Sequence, residues 1–194
     1  MGKIFFTSDT HFCHDRPFIY EPRGFSSVEE MNEEIVKRWN SVVSPEDVVY
    51  HLGDVMLNDN EKGLELLNRL NGAIYIITGN HDTKSRLNVY PNVANIIEVG
   101  KWADVIKYKG YSFYLSHHPT LTANYDEEAP IKRHLINLFG HTHQQNNFYE
   151  DNPFMYHVGL DSHDCYPVEI ETVLEDIRKQ VDFVKELETI LDEL

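Results

Sequence analysis

The sequence predicts an α/β fold, a layered sandwich whose first half is largely parallel and whose second half is mixed or antiparallel. Three observations carry this. Short runs rich in β-branched and aromatic residues recur along the 194 residues. Helix-period patterns separate the first three runs, which implies right-handed crossovers between parallel strands. The later runs stand close together, as hairpin strands do.

Taken in order, Ile4-Phe5-Phe6 is the first strand. Ser26-Ser27 followed by Glu29-Glu30 marks a helix start, and Met31, Ile35 and Trp39 keep helical spacing after it. Val48-Val49-Tyr50 is the second strand. A shorter helix over residues 63–70 aligns Leu64, Leu67 and Leu70, and Asn71-Gly72 breaks it before a third strand over 74–77. Residues 102–108 and 111–115 pair through a turn at Lys109-Gly110, and strands follow at 135–139 and 154–158. From about Val168 to the end the chain reads as one long helix. No repeat, low-complexity tract or Gly/Ser-rich linker interrupts residues 1–194, so one domain is expected.

Composition narrows the class. With 41% hydrophobic and 25% charged residues, 10 Gly and 8 Pro, the chain is neither disordered nor fibrous. No apolar stretch approaches the roughly 20 residues that span a bilayer, and the first apolar run is too short for a signal peptide. Two cysteines, Cys13 and Cys165, imply no disulfide framework. A soluble, cytoplasmic protein is expected. The net charge of −15, from 17 Lys+Arg against 32 Asp+Glu, argues against extended nucleic acid as a partner. Two bound divalent cations would reverse that field inside a small pocket.

Histidine is over-supplied, with 11 copies, and its placement is ordered. Five strand runs end in polar residues of metal-binding type: Asp9-Thr10-His11, Gly53-Asp54, Gly79-Asn80-His81-Asp82, Ser116-His117-His118 and Gly140-His141-Thr142-His143. Strand C-terminal ends border the ligand crevice of open α/β sheets. Five converging ends gather Asp9, His11, Asp54, Asn80, His117, His141 and His143 around one point. Carboxylate and amide oxygens mixed with neutral imidazoles suit Mn, Fe or Zn better than Mg alone.

Asp-x-His, Gly-Asp, Gly-Asn-His-Asp, His and Gly-His-x-His, in that order, resemble the signature of calcineurin-like metallophosphoesterases. The motifs span residues 9–143, the resemblance extends to about Pro167, and residues 8–12 and 25–32 are similar to small bacterial and phage members. The resemblance implies two mixed β-sheets flanked by helices. It implies two divalent transition-metal ions, Mn first and Fe, Zn or Ni as alternatives. Asp9, His11, Asp54 and His143 would hold the first ion, and Asp54, Asn80, His117 and His141 the second, with Asp54 bridging. It also implies a metal-bridging hydroxide as nucleophile, His81 assisting the leaving group, and Asp82 orienting His81.

Specificity is expected in loops 13–25, 120–134 and 144–153. Arg16, Arg23, Lys132 and Arg133 lie there, and with His14 they are candidate substrate contacts. Asp126-Glu127-Glu128 makes a long nucleic acid a poor substrate, and a small phosphodiester is favoured. A phosphomonoesterase, or a non-catalytic metal-binding scaffold, is the alternative. His134 is a second candidate for the pocket; His51 and His157 read as structural, His163 as a surface-loop residue, and Cys13 as a small packing residue. Along the last helix, Ile170, Leu174, Ile177, Val181 and Val184 form one stripe that Leu187, Leu191 and Leu194 continue. Its distal part overhangs a compact domain, so a homodimer through Val184, Leu187, Leu191 and Leu194 is expected.

Overall fold

Alternation within the first strand sets the layers. In the computed structural model, which describes residues 2–122 and 129–192, β1 spans Ile4–Thr7. Phe5 turns to one side and packs among helix residues; Phe6 turns to the other and packs against Tyr50 and Phe113. Strands β2 (Val48–His51), β3 (Ala73–Ile77) and β4 (Ile96–Lys101) run parallel to β1. The short β9 (Val168–Glu169) pairs antiparallel with Phe5 and Phe6, closing a five-stranded sheet of order β4-β3-β2-β1-β9. The second sheet, of order β5-β6-β7-β8, joins β5 (Ala103–Tyr108), β6 (Tyr111–Ser116), β7 (Leu135–Phe139) and β8 (Met155–His157). Only β5 is antiparallel there, paired with β6 as expected through Lys109-Gly110.

One core fills the space between the sheets, from Phe6, Leu52 and Ile77 to Phe113, Leu115, Ile136 and Leu138. The other lies between the first sheet and the helices that follow β1 and β2. Helix α1 is a single turn, Pro17–Tyr20. In α2 (Val28–Val42), Met31, Ile35 and Trp39 are all fully buried, as their spacing foretold. Its start is a reciprocal cap: Glu30 N donates to Ser27 Oγ, and the Glu30 carboxylate accepts from Ser26 N. Helix α3 (Asn60–Leu67) begins three residues earlier than its leucine stripe suggested, because Asp59 caps it by accepting from Lys62 N. A short α4 (Lys84–Val89) precedes β4.

The last helix, α5, spans Ile170–Asp192. The expected start at Val168 is corrected, since Val168 and Glu169 hydrogen-bond to β1 as a strand before the helix begins. Ile170, Leu174, Ile177 and Val181 complete the inter-sheet core. Val184 is half-buried and Leu187 is 43% exposed. The Leu191 side chain, Leu194 and the acidic Asp126-Glu127-Glu128 lie outside the described residues. No described helix is long and apolar enough to cross a membrane.

Candidate metal centre

The parallel strands of both sheets deliver their C-terminal ends to one rim, and the loops there are stitched together before any side chain is considered. Asp9 N donates to Gly53 O (3.0 Å), His11 N to Asp54 O (3.1 Å) and Gly140 N to His117 O (2.9 Å). The glycines are dictated by proximity. Gly53 sits at φ 95°, and a Cβ on it would stand 2.5 Å from Gly79 N; a Cβ on Gly140 would collide with Ser8 Oγ and Asp9 Oδ2. Asp9, His11, Asp54, His141 and His143 themselves occupy the left-handed region, at φ between 47° and 69°. Such a conformation costs a side-chain-bearing residue about 1–3 kcal/mol and persists where the surroundings fix it. Five of the seven expected ligands share it.

Their donor atoms converge. His11 Nε2 lies 3.2 Å from His143 Nε2, 3.6 Å from Asp9 Oδ1 and 3.8 Å from Asp54 Oδ2. His117 Nε2 lies 2.9 Å from Asn80 Oδ1 and 3.5 Å from the same Asp54 Oδ2. Donors about 2.1 Å from a shared ion stand about 3–3.5 Å apart around it, close to these separations, and Asp54 Oδ2 lies near both His11 and His117. His141 joins His117 and His118 in a third group, its ring 4.3 Å from that of His118. Both imidazoles of the His117-His118 doublet therefore reach the cluster, His117 buried and His118 exposed.

Hydrogen-bond chemistry tests whether these residues fit a cation. His117 Nδ1 faces Leu52 O (2.8 Å), an acceptor, so Nδ1 carries the proton. A neutral His117 then points its Nε2 lone pair at Asn80 Oδ1 and Asp54 Oδ2, which are acceptors too. His143 Nδ1 faces Asp161 Oδ2 (2.9 Å), which turns its Nε2 lone pair toward His11 Nε2 at 3.2 Å. Asp9 Oδ1 is buried with no hydrogen-bond donor. Lone pairs aimed at one another are unfavourable until positive charge stands between them, and the donor set fits divalent metal.

Ionisation agrees. Burial opposes charge on Asp9, yet the imidazoles of His11, His117 and His143 hold its carboxyl well below the usual range. Asp54 is likewise held down by His117 and the His81 amide against its burial. Burial lowers His11; His117 and His143 are raised, because Asp54 and Asp9, or Asp161 and Asp9, outweigh burial.

His81 stands at the rim, its side chain 46% exposed, with Nε2 4.0 Å from Asp54 Oδ2 and no place in the ligand groups. Asp82 is a correction. It does not orient the His81 ring: Oδ2 accepts from Asp54 N (2.8 Å) and Gly79 N (2.9 Å), and Oδ1 from Val55 N (3.2 Å) and Tyr90 Oη (2.7 Å). It clamps the Gly-Asp loop to the Gly-Asn-His-Asp loop. Arg86, unread in the sequence, donates to His81 O and holds that loop from outside.

Among the expected substrate contacts, His14 reaches the site, its ring 5.2 Å from His11 and 6.3 Å from His81, and burial lowers its pKa to about 4. Arg16 and Arg133 are exposed. Arg23 is a second correction. Its side chain is 1% exposed and engages both oxygens of Asp161, at 2.9 Å each, so it is not free to meet substrate. His134 is also drawn away, stacked on Phe154 at 3.8 Å. His51 is structural as expected, buried with Nε2 2.9 Å from Thr10 Oγ1. His157 is buried too, its Nδ1 2.8 Å from Ser162 Oγ. His163 is half-buried rather than a free loop residue, with Nε2 2.9 Å from His157 O. Cys13 packs in the helix-side core, where burial pushes its thiol up to about 11. Asp161, the partner of both His143 and Arg23, was not anticipated.

Known proteins resemble this chain in sequence and fold. The profile of the calcineurin-like phosphoesterase superfamily domain matches residues 3–184. The uncharacterized protein MJ1445 of Methanocaldococcus jannaschii is 36% identical over 189 residues, covering 92% of this chain and 93% of that protein. The gene 66 protein of Mycobacterium phage D29 is 29% identical over 201 residues, covering 92% and 99%. The crystal structure of AQ665, a protein of unknown function from Aquifex aeolicus, superposes with a TM-score of 0.67 at 24% identity, covering 90% of this chain and 99% of that one, and so shares the fold. Motif order, fold and profile agree, and the chain belongs to the calcineurin-like phosphoesterase superfamily.

Proposed function

We propose that this protein hydrolyses small phosphate esters at the rim cluster with two divalent transition-metal ions, and that phosphodiesters are preferred to monoesters. The observation that carries the proposal is the sharing of Asp54 Oδ2 between two donor sets, 3.8 Å from His11 Nε2 and 3.5 Å from His117 Nε2. Asp9, His11, Asp54 and His143 would hold one ion, Asp54, Asn80, His117 and His141 the other, with Mn the best match and Fe, Zn or Ni alternatives. When bound, the ions neutralise phosphoryl oxygens and make water nucleophilic at neutral pH. The residues supply the rest. Asp9 and Asp54 stay ionised, and Asp82 keeps the Asp54 loop in register. His81, exposed and outside the ligand groups, holds a proton at Nε2 for the departing oxygen.

Diester preference rests on charge. A monoester presents a dianionic terminus, and cationic side chains with two or more donors favour it. Withdrawal of Arg23 into its pair with Asp161 removes the most deeply placed candidate, leaving a singly charged diester the better match. A panel of aryl phosphodiesters, aryl monoesters, cyclic nucleotides and sugar phosphates, assayed with Mn, tests this. Diester turnover exceeding monoester turnover supports it; the reverse order assigns a phosphomonoesterase.

A further inference from the structure

We propose that Asp161 and Arg23 form a positioning pair that fixes His143 as a ligand and ties it to the Asp9 loop, so that one of the two metal positions depends on residues outside the motifs. The inference rests on the two-metal reading above. His143 is the weak point of its donor set: it sits on a loop in left-handed backbone, and its side chain is 34% exposed. An imidazole so placed needs an anchor to keep one tautomer and one ring orientation. Asp161 Oδ2 supplies it by accepting from Nδ1 at 2.9 Å, which leaves the Nε2 lone pair facing His11 Nε2 and Asp9 Oδ1.

Asp161 is itself held. Arg23 donates through Nε to Oδ1 and through Nη2 to Oδ2, and the same guanidinium donates to Asp9 O at 2.8 Å. One buried cation thus joins the loop after β1, which carries Asp9 and His11, to the turn that orients His143. A carboxylate behind a ligating imidazole sets its tautomer and raises its basicity, and removing such a partner lowers metal affinity about 10–100-fold.

The test is calorimetric titration of Mn into metal-free wild type, Asp161→Asn and Arg23→Lys, with circular dichroism and melting temperature of each. Wild type binds two ions. Asp161→Asn keeps the fold and weakens one of the two binding events about 10–100-fold, leaving the other unchanged. Arg23→Lys, which retains the charge and one arm, falls between. Nitrogen-15 chemical shifts of wild-type His143 report the Nδ1–H tautomer, a readout that survives if Asp161→Asn does not fold. A lower melting temperature with both affinities unchanged, or an Nε2–H tautomer, overturns the positioning role while leaving the two-metal reading intact. Wild type that binds no metal overturns both.

Discussion

Replacing Asp82 by Asn separates the loop-clamp role from the His81-orienting role that the motif implies. The carboxylate accepts four hydrogen bonds, from Asp54 N, Gly79 N, Val55 N and Tyr90 Oη, and is buried. An amide cannot satisfy all four. With its oxygen left on the Asp54 and Gly79 amides, its NH₂ faces Tyr90 Oη, which can rotate to accept, and Val55 N–H, which cannot. An unsatisfied buried donor costs about 1–3 kcal/mol, and exchanging a charged for a neutral acceptor on the remaining two bonds removes about 1 kcal/mol from each. The sum of about 3–5 kcal/mol is a large share of the roughly 5–15 kcal/mol that stabilises a domain. Urea unfolding in chelator, where metal binding does not contribute, should show a midpoint lowered by roughly 2 M at an m-value of about 2 kcal/mol per M. Residual turnover, measured with excess metal, should fall equally for esters with good and poor leaving groups. An unchanged midpoint, with a loss of turnover that steepens as the leaving group worsens, refutes the clamp and returns Asp82 to His81.

Other outcomes follow from the same geometry. His81→Ala should keep the fold and both metals, yet slow turnover about 10²–10⁴-fold. That loss should shrink for good leaving groups, and a variant depleted of metal on dialysis would make His81 a ligand instead. Ligating imidazoles must be neutral, and the neighbouring carboxylates raise His117 and His143 above the ordinary His pKa of about 6.5. Metal therefore competes with protons as pH falls through the window just above that value, so the acid limb of the rate profile should move to lower pH with added Mn; a limb indifferent to Mn contradicts this. Truncation after Asp182 removes half-buried Val184 and exposed Leu187 but none of the core stripe ending at Val181. Sedimentation should show a dimer become an active monomer, and an intact chain that is already monomeric at micromolar concentration sinks the helix-mediated dimer.

Legibility in the sequence followed burial and regularity. The five site strands were visible because each is a short apolar run halted by polar residues, and the ends of parallel strands meet at one rim. Strand β4 was missed because Ile96-Ile97-Glu98-Val99-Gly100-Lys101 is a half-exposed sheet edge carrying a glycine and two charges. Strand β9 was absorbed into the final helix, since two residues carry no period of their own and Val168-Glu169-Ile170 runs from one state to the other without a breaker. The motifs named seven ligands but not what holds them. Arg23 reads as one loop cation among several, and only tertiary structure shows its guanidinium enclosed by Asp161, Asp9 O and Thr10 O. A signal for Asp161 did exist: it lies four residues beyond the end of β8, which runs parallel to β7 and so points at the same rim. Adjacency in the motif says nothing of the Asp82 carboxylate, which is buried on backbone amides and Tyr90 while the neighbouring His81 side chain stays 46% exposed.

The most direct measurement is metal content and hydrolysis of an aryl phosphodiester by wild type and Asp54→Asn in the same preparations. Asp54 Oδ2 is the only carboxylate oxygen among the described residues within 4.0 Å of His11, His81 and His117 together. The expected result is two ions per wild-type chain, fewer than two in Asp54→Asn, and turnover reduced by orders of magnitude in the variant. Full metal content with near-normal turnover in Asp54→Asn would contradict a two-metal phosphoesterase built on that oxygen.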